Sequence, residues 1–190
     1  MSIRAIFFLL FVCSSIITSG QKFKTVRVGA GLGVFTSTSN ANNGWLIFIE
    51  PSYRTSDNFF VGFRYEGAYN KSMSVLSYSF NGQYYFSSNT SRVRSFVGLG
   101  AGLYIADYNS IGSFNTNLET ALGKTSFGFY PRVGFDFGHF SLSVDWNISS
   151  ESKVTFIEYL VGGSKVYAAN VNPSYLSIRG SICLGGGKKK

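Results

Sequence analysis

Few side chains in this 190-residue sequence can do chemistry, because Asp, Glu, Lys and Arg together make up only 14% of it. Eight of them fall on one side of an alternating pattern: Arg27, Glu50, Arg64, Glu66, Arg132, Asp136, Asp145 and Arg179. Cations and carboxylates match in number, which favours mutual pairing inside the protein, since a buried charge without a partner is strongly unfavourable. The alternative use of the same set is a narrow polar path for ions or small solutes, with these residues setting selectivity.

Other reactive groups are sparse. The single histidine, His139, follows Gly138 in what reads as a tight turn, remote from the acids at the opposite rim. A Ser/His/acid triad would lack its base, so a non-enzymatic protein is expected. No Cys/His cluster has metal-ligand spacing, and neither a metal nor a cofactor is expected. The runs Gly29-Ala30-Gly31-Leu32-Gly33 and Gly98-Leu99-Gly100-Ala101-Gly102 lack the third glycine and the following helix of a dinucleotide fingerprint. Alternate glycines within a strand, making room for neighbouring side chains, account for them better.

The elements that would carry these residues are strands. From residue 21 onward the apolar pattern has period 2, which predicts eight strands at 24–35, 45–54, 59–69, 74–86, 93–106, 125–137, 140–149 and 174–184. One face is bulky and uncharged throughout, as in Val26, Val28, Leu32 and Val34 of the first strand or Phe127, Phe129, Val133 and Phe135 of the sixth. Lipid demands such a face, because a Lys or Arg at the bilayer midplane of a membrane barrel costs about 2–4 kcal/mol. The other face alternates glycine and serine with the eight charges. Its small volume fits the interior of an eight-stranded barrel, which side chains just fill. Leu46, Phe48, Phe60, Phe96 and Tyr104 share this inward parity, so some large groups must pack inside. Trp45, Tyr53, Tyr69 and Trp146 lie near strand ends, where amphipathic rings suit a membrane interface. Pro51 and Pro131 fall within strands, and a bulge is expected near Pro131.

The links alternate in length, as outer-membrane barrels require. Outer loops are predicted at about 36–44, 70–73, 107–124 and 150–173, with inner turns at 55–58, 87–92 and 138–139. Lys71, Lys124, Lys153 and Lys165 fall in these outer loops, where they are candidates for contact with lipopolysaccharide phosphates. Residues 1–20 read as a secretory signal peptide, with Arg4, an apolar run to Val12 and a small-residue exit at Thr18-Ser19-Gly20. The apolar run is shorter than the roughly 20 residues of a spanning helix. Cys13 falls in that leader, which leaves Cys183 without a disulfide partner. Much of the net charge of +8 sits at the ends, in Arg4 and in Lys188-Lys189-Lys190. Acidic lipopolysaccharide is therefore a better counter-charge than nucleic acid.

The region from Lys24 to Leu184 resembles the small OmpX/OmpA-like outer-membrane barrels. The resemblance is carried by the strand from Phe96 through Gly102, by Pro131-Arg132-Val133-Gly134-Phe135 and by Leu176-Ser177-Ile178-Arg179-Gly180-Ser181-Ile182. It agrees with the all-β, up-and-down transmembrane barrel read over residues 21–184 and implies an outer-membrane location, while residues 185–190 read as a flexible basic tail. It also implies insertion by the barrel-assembly machinery, contact with outer-membrane lipid, and roles in envelope integrity or surface interaction. Family members commonly end the last strand on an aromatic residue, whereas this one reaches Leu184. The rival readings are a small pore and a soluble lipocalin-like barrel with its apolar face turned inward.

Overall fold

A computed structural model describes residues 25–38, 42–71, 73–86, 93–108, 124–160 and 163–185, with backbone alone for 107, 108, 124, 152–160 and 163–171. The expected signal peptide, most of the third outer loop and residues 186–190 of the tail lie outside the described residues. Ten strands are described: β1 (Val26–Ser37), β2 (Asn43–Ser56), β3 (Phe59–Tyr69), β4 (Met73–Tyr85), β5 (Val93–Tyr108), β6 (Lys124–Phe137), β7 (Phe140–Ser149), β8 (Ser152–Leu160), β9 (Gly163–Val171) and β10 (Tyr175–Gly185). Eight of them close an antiparallel barrel in the order β1-β10-β7-β6-β5-β4-β3-β2. Closure comes from β1 and β10, which pair from Arg27 with Gly185 to Ser37 with Tyr175. This leaves the barrel no open edge.

The period-2 pattern decides which way each side chain points. Leu32, Phe80 and Leu184 are more than 60% exposed on the outside, while Arg64 and Arg179 are 1% exposed within. A soluble barrel with its apolar face turned inward is thereby excluded. Inward glycines make the space that the large inward residues fill. A Cβ at Gly134 would come within 2.5 Å of the Phe96 ring, and one at Gly100 would collide with Tyr130. Between β6 and β7 the chain reverses in two residues, and Gly138 takes φ 65°, a left-handed conformation that glycine adopts without strain.

Three features depart from the sequence-based expectation. The segment 150–173, expected as a loop, carries β8 and β9, which pair from Ser152 with Val171 to Leu160 with Gly163. They form a separate two-stranded sheet at the end of the barrel that bears the longer connections. Lys153 and Lys165 are therefore on strands, and Lys124, also expected in a loop, opens β6 opposite Ala106. Finally, no bulge occurs at Pro131. The β6–β7 register is the same on both sides of it, with pairing interrupted between Phe129–Ile148 and Arg132–Asp145. The missing proline N–H removes ladder bonds without adding a residue.

Candidate functional site in the barrel lumen

The lumen is filled in three tiers. The middle tier holds Glu50 of β2, Arg64 and Glu66 of β3, Arg132 of β6, Asp145 of β7 and Arg179 of β10. Each is an inward residue of an alternating strand, and closure of the barrel brings them together from five strands. Arg64 donates from Nε to Glu50 at 2.8 Å and from Nη1 to Asp145 at 2.7 Å. Arg132 grips Glu50 with both Nη atoms at 2.9 Å, and its Nε lies 3.0 Å from Asp145. Arg179 chelates Glu66 and approaches Asp145 at 3.3 Å, while Tyr175 donates to Glu66. Gln83 donates to Glu50 at 2.5 Å.

Three guanidinium groups thus face three carboxylates, so the tier has no net charge. Bidentate arginine geometry recovers part of the desolvation cost that buried ions incur. Tyr130 adds a further contact, with the Arg64 guanidinium 4.4 Å from its ring centre.

The inner tier joins the remaining two of the eight charges. Arg27 binds Asp136 through both Nη atoms, at 2.7 and 3.2 Å, and Tyr85 donates to Asp136 at 2.8 Å. The Cys183 sulfur lies 2.8 Å from Arg27 Nη2. Around them, Phe60, Tyr85 and Phe96 form a buried aromatic cluster. Sequence reasoning missed Tyr85 and two cations of this tier. Arg54 lies over the Phe60 ring at 4.5 Å, and Arg94 lies over Tyr85 at 4.4 Å while donating to the Asp57 carbonyl at 3.3 Å. Their parity was the available signal: Arg54 alternates with Ser52 and Glu50, and Arg94 with Phe96 and Gly98.

The outer tier is apolar. Phe35, Leu46, Phe48, Met73, Val75 and Tyr175 belong to one buried cluster, joined by Tyr104, whose hydroxyl donates to Asn147 at 3.0 Å. Between the tiers is a cavity of about 20 Å³ bordered by Arg27, Glu50, Arg132 and Cys183. That is room for about one water molecule.

The four lysines expected at the outer rim do not form a single cluster on one element. Lys71 is exposed in the β3–β4 link, Lys124 starts β6, and Lys153 and Lys165 stand on the β8–β9 hairpin. Lys165 is in register with Glu158. His139 lies at the other end of the barrel, its Nδ1 3.0 Å from the Cys183 carbonyl oxygen. Among the described residues no group of three or more His, Cys, Asp or Glu is arranged to hold a metal ion.

A closed eight-stranded barrel with an apolar exterior and buried ion pairs at mid-lumen is an outer-membrane β-barrel in class. Solved structures show the same architecture. The outer membrane protein OprG from Pseudomonas aeruginosa matches with a TM-score of 0.59 at 14% identity, over 87% of this chain and 98% of that one. Neisserial surface protein A matches with a TM-score of 0.51 at 18% identity, over 85% and 97%. The N-terminal β-barrel domain of Pseudomonas aeruginosa OprF matches with a TM-score of 0.50 at 12% identity, over 86% and 100%. No protein-family model matches the chain, and no curated protein sequence does. The chain therefore has the fold of the small outer-membrane barrels, and its lipid-facing band agrees with that location.

Proposed function

We propose that this protein is a non-enzymatic barrel of the outer membrane, closed to solutes, which supports the envelope and meets surface partners through its outer connections. The observation that carries this reading is the neutral network of Arg64, Arg132 and Arg179 with Glu50, Glu66 and Asp145, covered on its outer side by the Phe35–Tyr175 cluster. An ion crossing the lumen would have to break these pairs and displace apolar side chains, both costly in a low-dielectric interior. The small-pore alternative has no comparable support. The non-enzymatic reading is supported by the position of His139 at the short-turn end, where its Nδ1 lies 3.0 Å from a backbone carbonyl oxygen.

The β8–β9 hairpin gives the protein its outer contact surface. Lys71, Lys124, Lys153 and Lys165 add positive charge suited to lipopolysaccharide phosphates, and biogenesis proceeds through the barrel-assembly machinery. Recording in planar bilayers tests the closed lumen. Purified, folded protein is expected to give no discrete conductance, and steady openings altered by Arg64→Ala would refute the plug. Replacing the four lysines with alanine is expected to weaken retention on lipopolysaccharide-containing vesicles; equal retention would refute that contact.

A further inference from the structure

The outer wall is not uniformly bulky. One row of register partners crosses it from β7 to β4: Leu142, Gly180, Leu32, Ile47, Gly67 and Leu76. A groove of about 880 Å³ follows this row, and its lining is overwhelmingly apolar. The outward glycines differ in how they are covered. At Gly67 the ring of Tyr69 lies 2.8–3.1 Å from where a Cβ would sit, and at Gly82 the Phe59 ring lies at 3.0 Å. Among the described residues nothing lies within 4 Å of that position at Gly180, so none of their side chains shields it.

We propose that this groove holds an acyl chain of a phospholipid from the periplasmic leaflet, seated across Gly180. A chain filling one leaflet of a hydrocarbon core about 30 Å thick extends about 15 Å. At about 4.8 Å between strands, that length covers roughly three strand spacings, from Leu142 across Gly180 and Leu32 to Ile47. The entry side follows from the two ends of the groove. Its lower end reaches Phe137 and Phe140, which flank the short Gly138-His139 turn on the periplasmic side. At its upper end Tyr69 covers Gly67 and packs on Trp45 with ring centres 4.9 Å apart, which narrows the groove toward the outer leaflet.

A second copy of the barrel fits the groove poorly. Strands in such barrels tilt about 35–45° from the membrane normal, so a groove running across them is inclined by roughly 45–55°. Two barrels standing in one bilayer touch along a strip parallel to the normal, which crosses the groove only briefly. A flexible chain can follow its oblique course. The proposal rests on the barrel spanning a membrane and not on the lumen being sealed, so a conducting barrel would leave it standing.

The test uses full-length protein reconstituted in vesicles of phosphatidylethanolamine and lipopolysaccharide, extracted in mild detergent and weighed by native mass spectrometry. Wild-type protein is expected to retain one phospholipid per barrel. Gly180→Phe, whose side chain has open space to occupy, is expected to lower that retention about tenfold, while Ala101→Phe on the opposite side of the wall leaves it unchanged. Heat-modifiable gel migration confirms folding, and Gly180→Leu takes the place of the larger variant where folding suffers. Equal phospholipid retention by all variants, retention of lipopolysaccharide instead, or a wild-type dimer lost on filling Gly180 would each overturn the proposal.

Discussion

The β2–β3 and β6–β7 seams are held together differently from the β4–β5 seam. Between β4 and β5 the register runs without a break from Met73–Tyr108 to Tyr85–Phe96. Between β2 and β3 it stops at Ile49–Tyr65 and resumes at Ser52–Gly62, and between β6 and β7 it stops at Phe129–Ile148 and resumes at Arg132–Asp145. A proline, Pro51 or Pro131, sits in each gap. In the closed order these seams lie opposite one another, dividing the wall into β3–β6 and β7-β10-β1-β2. The middle tier bridges both: Arg64–Glu50 spans the first and Arg132–Asp145 the second, while Arg64–Asp145 and Arg132–Glu50 cross the lumen. Where the backbone ladder is thinned, side-chain ion pairs join the two halves. The buried network is thus a structural joint between the two halves of the wall.

The largest effect is expected where one residue serves both seams. Asp145→Ala removes the carboxylate that pairs with three arginines and leaves an uncompensated buried cation, costing about 3–5 kcal/mol. Urea unfolding in lipid vesicles should show the loss, and a cost no greater than that of an exposed substitution would break the comparison.

Replacing the pair together, Arg132→Met with Asp145→Leu, should cost clearly less than Asp145→Ala, because no odd charge is left from that pair. A double variant as unstable as the single would mean that the network matters for its individual bonds rather than for its neutrality.

Tyr104→Phe probes the apolar tier, away from the interrupted ladders. It removes one hydrogen bond, to Asn147, and should cost about 0.5–1.5 kcal/mol in the same unfolding assay. A loss comparable with that of Asp145→Ala would place the outer tier in the joint.

The smallest expected change in stability is for Pro51→Val, where a restored N–H offsets the greater freedom of the unfolded chain. Its clearer signature is slower amide hydrogen exchange along β2–β3 with β6–β7 unchanged. Unaltered exchange at β2–β3 would show that proline is not the cause of the gap.

Much of this architecture was legible before any coordinates. Period 2 marks the strands and assigns their faces, because successive side chains in a strand must point to opposite sides. Predicted strands at 59–69 and 140–149 coincide with β3 and β7. The hairpin at 150–173 was missed although Gly162-Gly163 stands between two β-rich runs, a recognisable turn signal. Arg54 and Arg94 were missed because they lie close to strand ends, where parity is easily neglected.

By itself the sequence determined that the chain builds strands with one apolar and one polar face, and that the eight paired charges, together with Arg54 and Arg94, share the polar one. Only the tertiary structure decided which charge meets which. Arg64 is 81 residues from Asp145 and Arg179 is 113 from Glu66, and no local pattern encodes those distances. Closure of β1 on β10 and the register of each seam set them. The same closure decided that Gly180, one small residue among bulky neighbours, would be left uncovered on the lipid side of the wall.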